Sequence, residues 1–218
     1  MKKDIYFIRH GQTGKNITHV HQHYDEPLSK TGEKQAKKLA LYLKQLNIEV
    51  LITSPFLRAR QTAQIISKEI GITYTIDTSV HETIRPLYLY GKKHASFQTV
   101  RFVWNLFIHR KDDKWNDDGA ENMFDIRNRI HDVKDMIMET KEQTIAIVSH
   151  AVFIDMFLHL VCAQKSMSFF TFIRLIIFMK KMPNTGIVHV QYNADAPKGT
   201  CQWQFIKLIN PEEFNGRT

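Results

Sequence analysis

Ile5-Tyr6-Phe7-Ile8 runs directly into Arg9-His10-Gly11, and late in the chain Ile145-Ala146-Ile147-Val148 runs directly into Ser149-His150. Short, nearly continuous apolar runs are the mark of strands buried on both faces. Val50-Leu51-Ile52 is a third such run, and it too leads to a polar cluster, Ser54-Pro55-Phe56-Leu57-Arg58. Around these runs lie helical periods. Ala36, Leu39, Ala40, Leu43 and Leu46 share one face, with Lys34, Lys37, Lys38 and Lys44 on others. Ala59, Thr62, Ala63, Ile66 and Ile70 form a second stripe. Met123, Ile126, Ile130, Val133 and Ile137 form a third, opening after the Asp117-Asp118-Gly119 turn signal and closing near Thr140. Alternating strand and helix predicts an α/β fold of three layers, a mostly parallel central sheet with helices on both faces. Residues 187–192 and 203–209 read as two more strands joined by a turn over 193–200, where Asn, Asp, Pro and Gly gather.

At 218 residues the chain suits one domain, 1–218, because a single core keeps growing until roughly 250 to 300 residues. A hydrophobic fraction of 43% and a charged fraction of 24% are those of a globular protein and exclude a disordered or fibrous one. Thirty Lys and Arg against 22 Asp and Glu leave a net charge of +8. That field attracts anions without naming one: nucleic acid, an acidic membrane surface and a small phosphorylated substrate all satisfy it. Cys162 and Cys201 form no metal or redox spacing and are expected as reduced thiols. Met1-Lys2-Lys3-Asp4 leads into no secretory signal. Asp155, Lys165 and Arg174 break the apolar stretch 151–179 into pieces short of the roughly 20 residues a membrane span needs. The expectation is a cytoplasmic protein with no membrane partner, in which Phe169, Phe170, Phe172 and Phe178 belong to the core rather than to a lipid-facing surface. Residues 86–118 interrupt the rhythm of strand and helix with Tyr88, Tyr90, Phe97, Phe102, Trp104, Phe107 and Trp115 among basic residues, and are expected to form an inserted lid over the site.

All three buried strands end in polar residues, and in open α/β sheets the ligand crevice lies beyond the carboxyl ends of the strands. Arg9, His10, Arg58 and His150 are therefore expected to converge from distant parts of the chain. Helices beginning near Arg58 and Ala151 would add free backbone N–H groups and partial positive charge. The expected ligand is anionic. Arginine's planar fork meets phosphate oxygens in pairs, and a neutral imidazole is a nucleophile toward phosphorus. Taken singly, an Arg-His pair at a strand end is a solvated loop and His150 a packing histidine; at matched strand ends they make a site.

Arg9-His10-Gly11-Gln12-Thr13, with Asn16 following, resembles the signature of the histidine phosphatase superfamily, the phosphoglycerate mutase-like proteins. Further segments resemble the family in the same order. They are Leu28-Ser29 with Gly32 and Gln35-Ala36, then Ser54 through Ala63, then Val80-His81-Glu82. Gly119-Ala120-Glu121-Asn122 with Asp125 and Arg129 follows, then Val148-Ser149-His150 and Pro183-Asn184-Thr185-Gly186. The resemblance implies that His10 takes the phosphoryl group as a phosphohistidine, with Arg9, Arg58 and His150 around its oxygens. It implies that Glu82 protonates the leaving alcohol and then deprotonates the attacking water; Gln12, Asn16 and the backbone N–H of Ala151 are expected to contact substrate. No metal or other cofactor is implied. Ala151 stands where relatives often have Gly. After Glu82 the chain reads Thr83-Ile84-Arg85-Pro86, unlike the Arg-His-Tyr-Gly of cofactor-dependent phosphoglycerate mutases, and Arg85 is either a substrate contact or an exposed loop arginine.

The expected function is a metal-independent phosphomonoesterase acting through phosphohistidine on a small phosphorylated substrate. The alternatives are a cofactor-dependent phosphoglycerate mutase and, from another class, a non-catalytic module binding an anion or nucleic acid. No basic stripe with regularly spaced aromatics marks a nucleic-acid surface, so no nucleic-acid partner is expected. His19, His21 and His23 alternate, and an extended segment would put them on one face suited to Zn²⁺; with no carboxylate or cysteine shell they are assigned no metal. Lys92, Lys93, Arg101, Arg110 and Lys111 are expected to steer a charged substrate inward.

Overall fold

The computed structural model describes residues 1–162 and 182–215. In chain order it runs β1 (Lys2–Arg9), α1 (Gly14–Thr18), α2 (Lys30–Leu43), β2 (Val50–Thr53), α3 (Leu57–Ile70), β3 (Tyr74–Ile76) and α4 (Phe97–Ile108). Then come α5 (Met123–Glu139), β4 (Thr144–Ser149), α6 (Ala151–Leu160), β5 (Ile187–Asn193) and β6 (Trp203–Ile209). The sheet order is β3-β2-β4-β1-β5-β6. β1, β2, β3 and β4 are parallel, while β5 pairs antiparallel with β1 and β6 antiparallel with β5.

The period-two alternation of strand side chains splits the apolar runs between two cores. Ile5, Phe7, Ile145 and Ile147 point to one face, where Ile126, Ile130 and Val133 of α5 and Phe153 and Phe157 of α6 cover them. Tyr6, Ile8, Ala146 and Val148 point to the other, under Leu39 and Leu43 of α2 and Ala63 and Ile66 of α3. Both central strands are thus buried on both sides, which is why their runs are continuous rather than alternating. Ser29 caps α2, accepting from the Gly32 N–H at 3.0 Å, and Asn122 opens α5 with a reciprocal capping box with Asp125. Lys3 is a buried exception on β1. Its Nζ donates to the carbonyls of Ile137 at 2.8 Å, Met138 at 3.3 Å and Thr140, satisfying the acceptors that the end of α5 leaves over.

Three elements are additional to the sequence expectation. β3 is only three residues long and lies at the sheet edge, too short to show a period. α1 is a single capped turn. α4 carries apolar residues over most of its circumference and confines Gln98, Arg101 and Asn105 to one narrow side, so no single apolar stripe of the usual width marks it. One expectation is corrected: Cys162 and Cys201 are joined as a disulfide, not held as reduced thiols. Although 39 residues apart, they lie beside each other where the end of α6 meets the approach to β6, with Cα atoms 5.6 Å apart and so within bonding reach. Among the described residues no helix is long and apolar enough to cross a membrane. Phe169, Phe170, Phe172 and Phe178 lie outside the described residues.

Candidate active site

The carboxyl ends of β1, β2 and β4 deliver the site. His10 follows β1 and is almost wholly buried. Its Nδ1 lies 2.7 Å from the Gly11 carbonyl, which can only accept, so Nδ1 carries the proton and Nε2 keeps its lone pair. That lone pair faces Arg58 Nε at 3.2 Å. Burial above all, then the charges of Arg58 and Arg9, holds His10 well below the usual histidine pKa, so the ring is neutral at pH 7. Gly11 is required by packing. A Cβ there would sit 2.7 Å from the Gly32 carbonyl oxygen, where the loop after β1 crosses the start of α2. The Gly11 N–H donates to Thr62 Oγ1 at 3.1 Å and that hydroxyl donates to the Arg58 carbonyl at 2.8 Å, tying the loop to α3.

Arg58 lies in the first turn of α3, buried to 2% exposure. Burial pulls its pKa down to about 10, which leaves it charged at neutral pH. Its Nη1 donates to the His23 carbonyl at 2.8 Å, and its guanidinium lies 5.1 Å from the Phe56 ring centroid. Arg9 donates from Nη1 to the Met182 carbonyl at 2.5 Å, while its buried Nε has no partner among the described residues.

His150, the N-cap of α6, is fully buried with its ring 5.1 Å from that of His10. Its Nε2 meets Ser54 Oγ at 2.7 Å, and its buried Nδ1 has no partner among the described residues. Burial, with the charge of Arg58, holds this ring neutral as well. A hydroxyl proton given by Ser54 to Nε2 leaves Nδ1 as a donor for an oxyanion.

Glu82 comes from the loop after the turn at 78–80 and is buried to 8% exposure. Its Oε1 accepts from the backbone of Thr83 at 3.0 Å and of Phe153, in the first turn of α6, at 3.1 Å, leaving Oε2 to face Arg85 Nη2 at 4.0 Å. Arg129 fixes this loop. It forms a fork to Glu121, with both bonds 2.8 Å, and donates from Nη1 to the carbonyls of Ser79 at 3.0 Å and His81 at 2.8 Å. The Ser149 hydroxyl donates to the Val80 carbonyl at 2.7 Å, pinning the same loop to the end of β4.

Residues 5–201 match the family model described as the histidine phosphatase superfamily, branch 1. This chain belongs to the histidine phosphatase superfamily. It is 38% identical over 65 residues to "Uncharacterized phosphatase PhoE" of Bacillus subtilis, a match spanning 29% of this chain and 34% of that protein. It is 35% identical over 79 residues to "Probable phosphoglycerate mutase GpmB" of Escherichia coli, spanning 36% of this chain and 37% of that one. The chain thus covers little more than a third of the length of these curated relatives. Solved structures align along nearly all of it. "Mycobacterial hydrolase 1" has a TM-score of 0.73 at 19% identity, covering 95% of this chain and 98% of that one. A mycobacterial glucosyl-3-phosphoglycerate phosphatase has a TM-score of 0.70 at 20% identity, covering 94% and 97%. A phosphoserine phosphatase of Entamoeba histolytica, solved with phosphoserine, has a TM-score of 0.72 at 19% identity, covering 96% and 98%.

In this histidine phosphatase superfamily member the remaining sequence candidates fall into place unevenly. Arg85 is not an exposed loop arginine, since its side chain is 17% exposed and faces Glu82. Gln12 is engaged in structure, with its side-chain oxygen accepting from Ser29 Oγ at 3.1 Å. Asn16 Oδ1 accepts from the Thr13 N–H at 3.0 Å and from Asn184 Nδ2 at 3.1 Å. Ala151 opens α6, whose first turn also carries the Phe153 N–H held by Glu82. His19, His21 and His23 do not share a face. His19 takes a left-handed backbone with φ 54°. His21 turns inward onto Thr99 Oγ1 at 2.8 Å, and His23 pairs with Asp25 at 3.2 Å. Among the described residues no group of three or more His, Cys, Asp or Glu side chains is placed to hold a metal ion. Residues 86–118 contain α4 and pair with the segment after α1 through a bridge of Val20 with Lys93.

The buried histidines set a pH response. His10 and His150 are pushed well below 6.5, chiefly by burial, and His21 is pushed down to about 3. Below pH 6.5 the unfolded chain therefore binds more protons than the folded one, so stability rises with pH and is lost as pH falls. Each such histidine contributes a slope of about 1.4 kcal/mol per pH unit. Asp155, whose pKa is raised by burial, works in the opposite direction nearer the carboxylate range. Urea midpoints should drop steeply from pH 6.5 to 5.5; a flat profile would show that these rings take up protons freely in the folded protein.

Proposed function

We propose that the chain is a phosphomonoesterase that works through a phosphohistidine at His10, on a small phosphorylated substrate and without a metal ion. The observation that carries this is the Nδ1 bond to Gly11 at 2.7 Å, which fixes the tautomer whose Nε2 lone pair points at the Arg58 guanidinium. A phosphoryl group seated there takes over the Arg58 Nε–H, together with donors from Arg9 and from His150 Nδ1. Nε2 attacks phosphorus as the ester P–O bond breaks, and the leaving oxygen takes a proton from Glu82 Oε2. Water then attacks the phosphohistidine and gives its proton back to Glu82. The P–N bond breaks, Nε2 recovers its lone pair, and phosphate leaves. Phosphoryl transfer gains mostly from positioning and from neutralising charge, and the fixed arginines and imidazole supply that charge. Arg85, Asn16 and the Ala151 N–H bind the remainder of the substrate.

The test is the leaving-group dependence of Glu82→Gln. Removing a general acid should cost about 10² to 10⁴ in turnover on an alkyl phosphate. It should cost much less on p-nitrophenyl phosphate, whose leaving group needs no proton. Equal losses on both esters would remove Glu82 from proton transfer. Phosphate release should survive EDTA. The likeness to a probable phosphoglycerate mutase supports a second reading, which a coupled assay with 3-phosphoglycerate and bisphosphoglycerate tests: interconversion faster than phosphate release would favour a mutase.

A further inference from the structure

α4 presents an apolar face to solvent. Phe102 and Leu106 pack inward at 5% and 7% exposure, while Phe97, Val100, Trp104 and Ile108 stand at 78%, 61%, 51% and 50%. At helical spacing these four share one side (100° per residue). Arg101, at the edge of this face, lies over the ring of Tyr88 at 5.9 Å, and Leu87 beside Tyr88 in sequence is also 67% exposed. Single exposed apolar residues are ordinary, but a continuous stripe along a helix that also buries its opposite face marks a surface that meets a partner.

Charge selects the partner. Between Glu82 and Asp112 the chain has no acidic residue, while Lys92, Lys93, Arg101, Arg110 and Lys111 all fall within that interval. Two copies meeting through this face would bring two such cationic segments together, which disfavours a second copy of the chain. An anionic bilayer satisfies both features at once: aromatic side chains sit at the interface while Lys and Arg reach the headgroups. We propose that α4 seats this protein on anionic lipid surfaces, with Phe97 and Trp104 inserted and the flanking cations on the headgroups. This departs from the sequence expectation of no membrane partner, because the exposed stripe becomes visible only once α4 is formed and its other side is buried. The proposal does not depend on the catalytic reading.

Sedimentation with vesicles tests it. The full chain should pellet with vesicles of equal parts phosphatidylglycerol and phosphatidylcholine, release as salt is raised, and stay in solution with phosphatidylcholine alone. The double variant Phe97→Glu, Trp104→Glu should bind the anionic vesicles at least about tenfold more weakly, with an unchanged thermal melt showing that the fold is kept. Three outcomes would overturn the proposal: no pelleting of the wild type, undiminished binding by the variant, or a wild-type dimer in solution that the variant abolishes.

Discussion

Changing His10 to Ala is expected to lower turnover of phosphate esters by roughly 10⁵ to 10⁶, the scale on which an enzyme fails when its covalent nucleophile is removed. The loss should be large because no described neighbour replaces Nε2. Arg58 and Arg9 are cations, His150 Nε2 is occupied by Ser54, and Glu82 Oε1 is held by two backbone N–H groups. Phosphate affinity should survive, since the arginines remain. Steady-state release of phosphate and binding of inorganic phosphate measure the two quantities separately. A variant that keeps a tenth of the activity would mean that water is attacked directly and that His10 only binds.

The second large effect is expected far from the reacting atoms. Arg129→Met keeps most of the side-chain volume over Phe153 but removes a guanidinium that holds both oxygens of Glu121 and two carbonyls of the loop bearing Glu82. Breaking one partner of a buried pair costs about 3 to 5 kcal/mol. At about 2 to 4 °C per kcal/mol for a chain of this size, Tm should fall by roughly 6 to 20 °C. Arg129 is a positioning residue and not a catalytic one, so its kinetic signature should copy that of Glu82→Gln. Turnover on an alkyl phosphate should fall more than turnover on p-nitrophenyl phosphate at a temperature where the variant is folded. Equal losses on both esters would confine Arg129 to stability.

The three-layer fold was legible because the strands at the centre of the sheet carry nearly continuous apolar runs and helices α2, α3 and α5 over them keep one-sided stripes. The polar residues at the strand ends were legible for the same topological reason: a parallel sheet gathers them at one edge. What the sequence did not reveal depends on the path between elements. Ser54 and Ser149 read as ordinary polar residues until β2 and β4 lie side by side, when one fixes His150 and the other pins the loop of Glu82. Asn184 lies in a segment singled out in the sequence, but its reach to the His10 carbonyl at 3.1 Å depends on β5 pairing with β1, which the segment by itself does not announce. The Cys162–Cys201 bond was missed because a separation of 39 residues carries no geometric information by itself. The alternation of His19, His21 and His23 suggested one face, but the left-handed turn at His19 and the inward rotation of His21 break it.

The central claim is covalent. Quenching the protein within one turnover of a phosphate ester, digesting it under mildly alkaline conditions and mapping the phosphoryl group by mass spectrometry tests it directly. The expected result is a single acid-labile phosphoryl group on His10, accumulating further in Glu82→Gln on p-nitrophenyl phosphate and absent from His10→Ala. A phosphoryl group on another residue, or one present at equal level in His10→Ala, would contradict it.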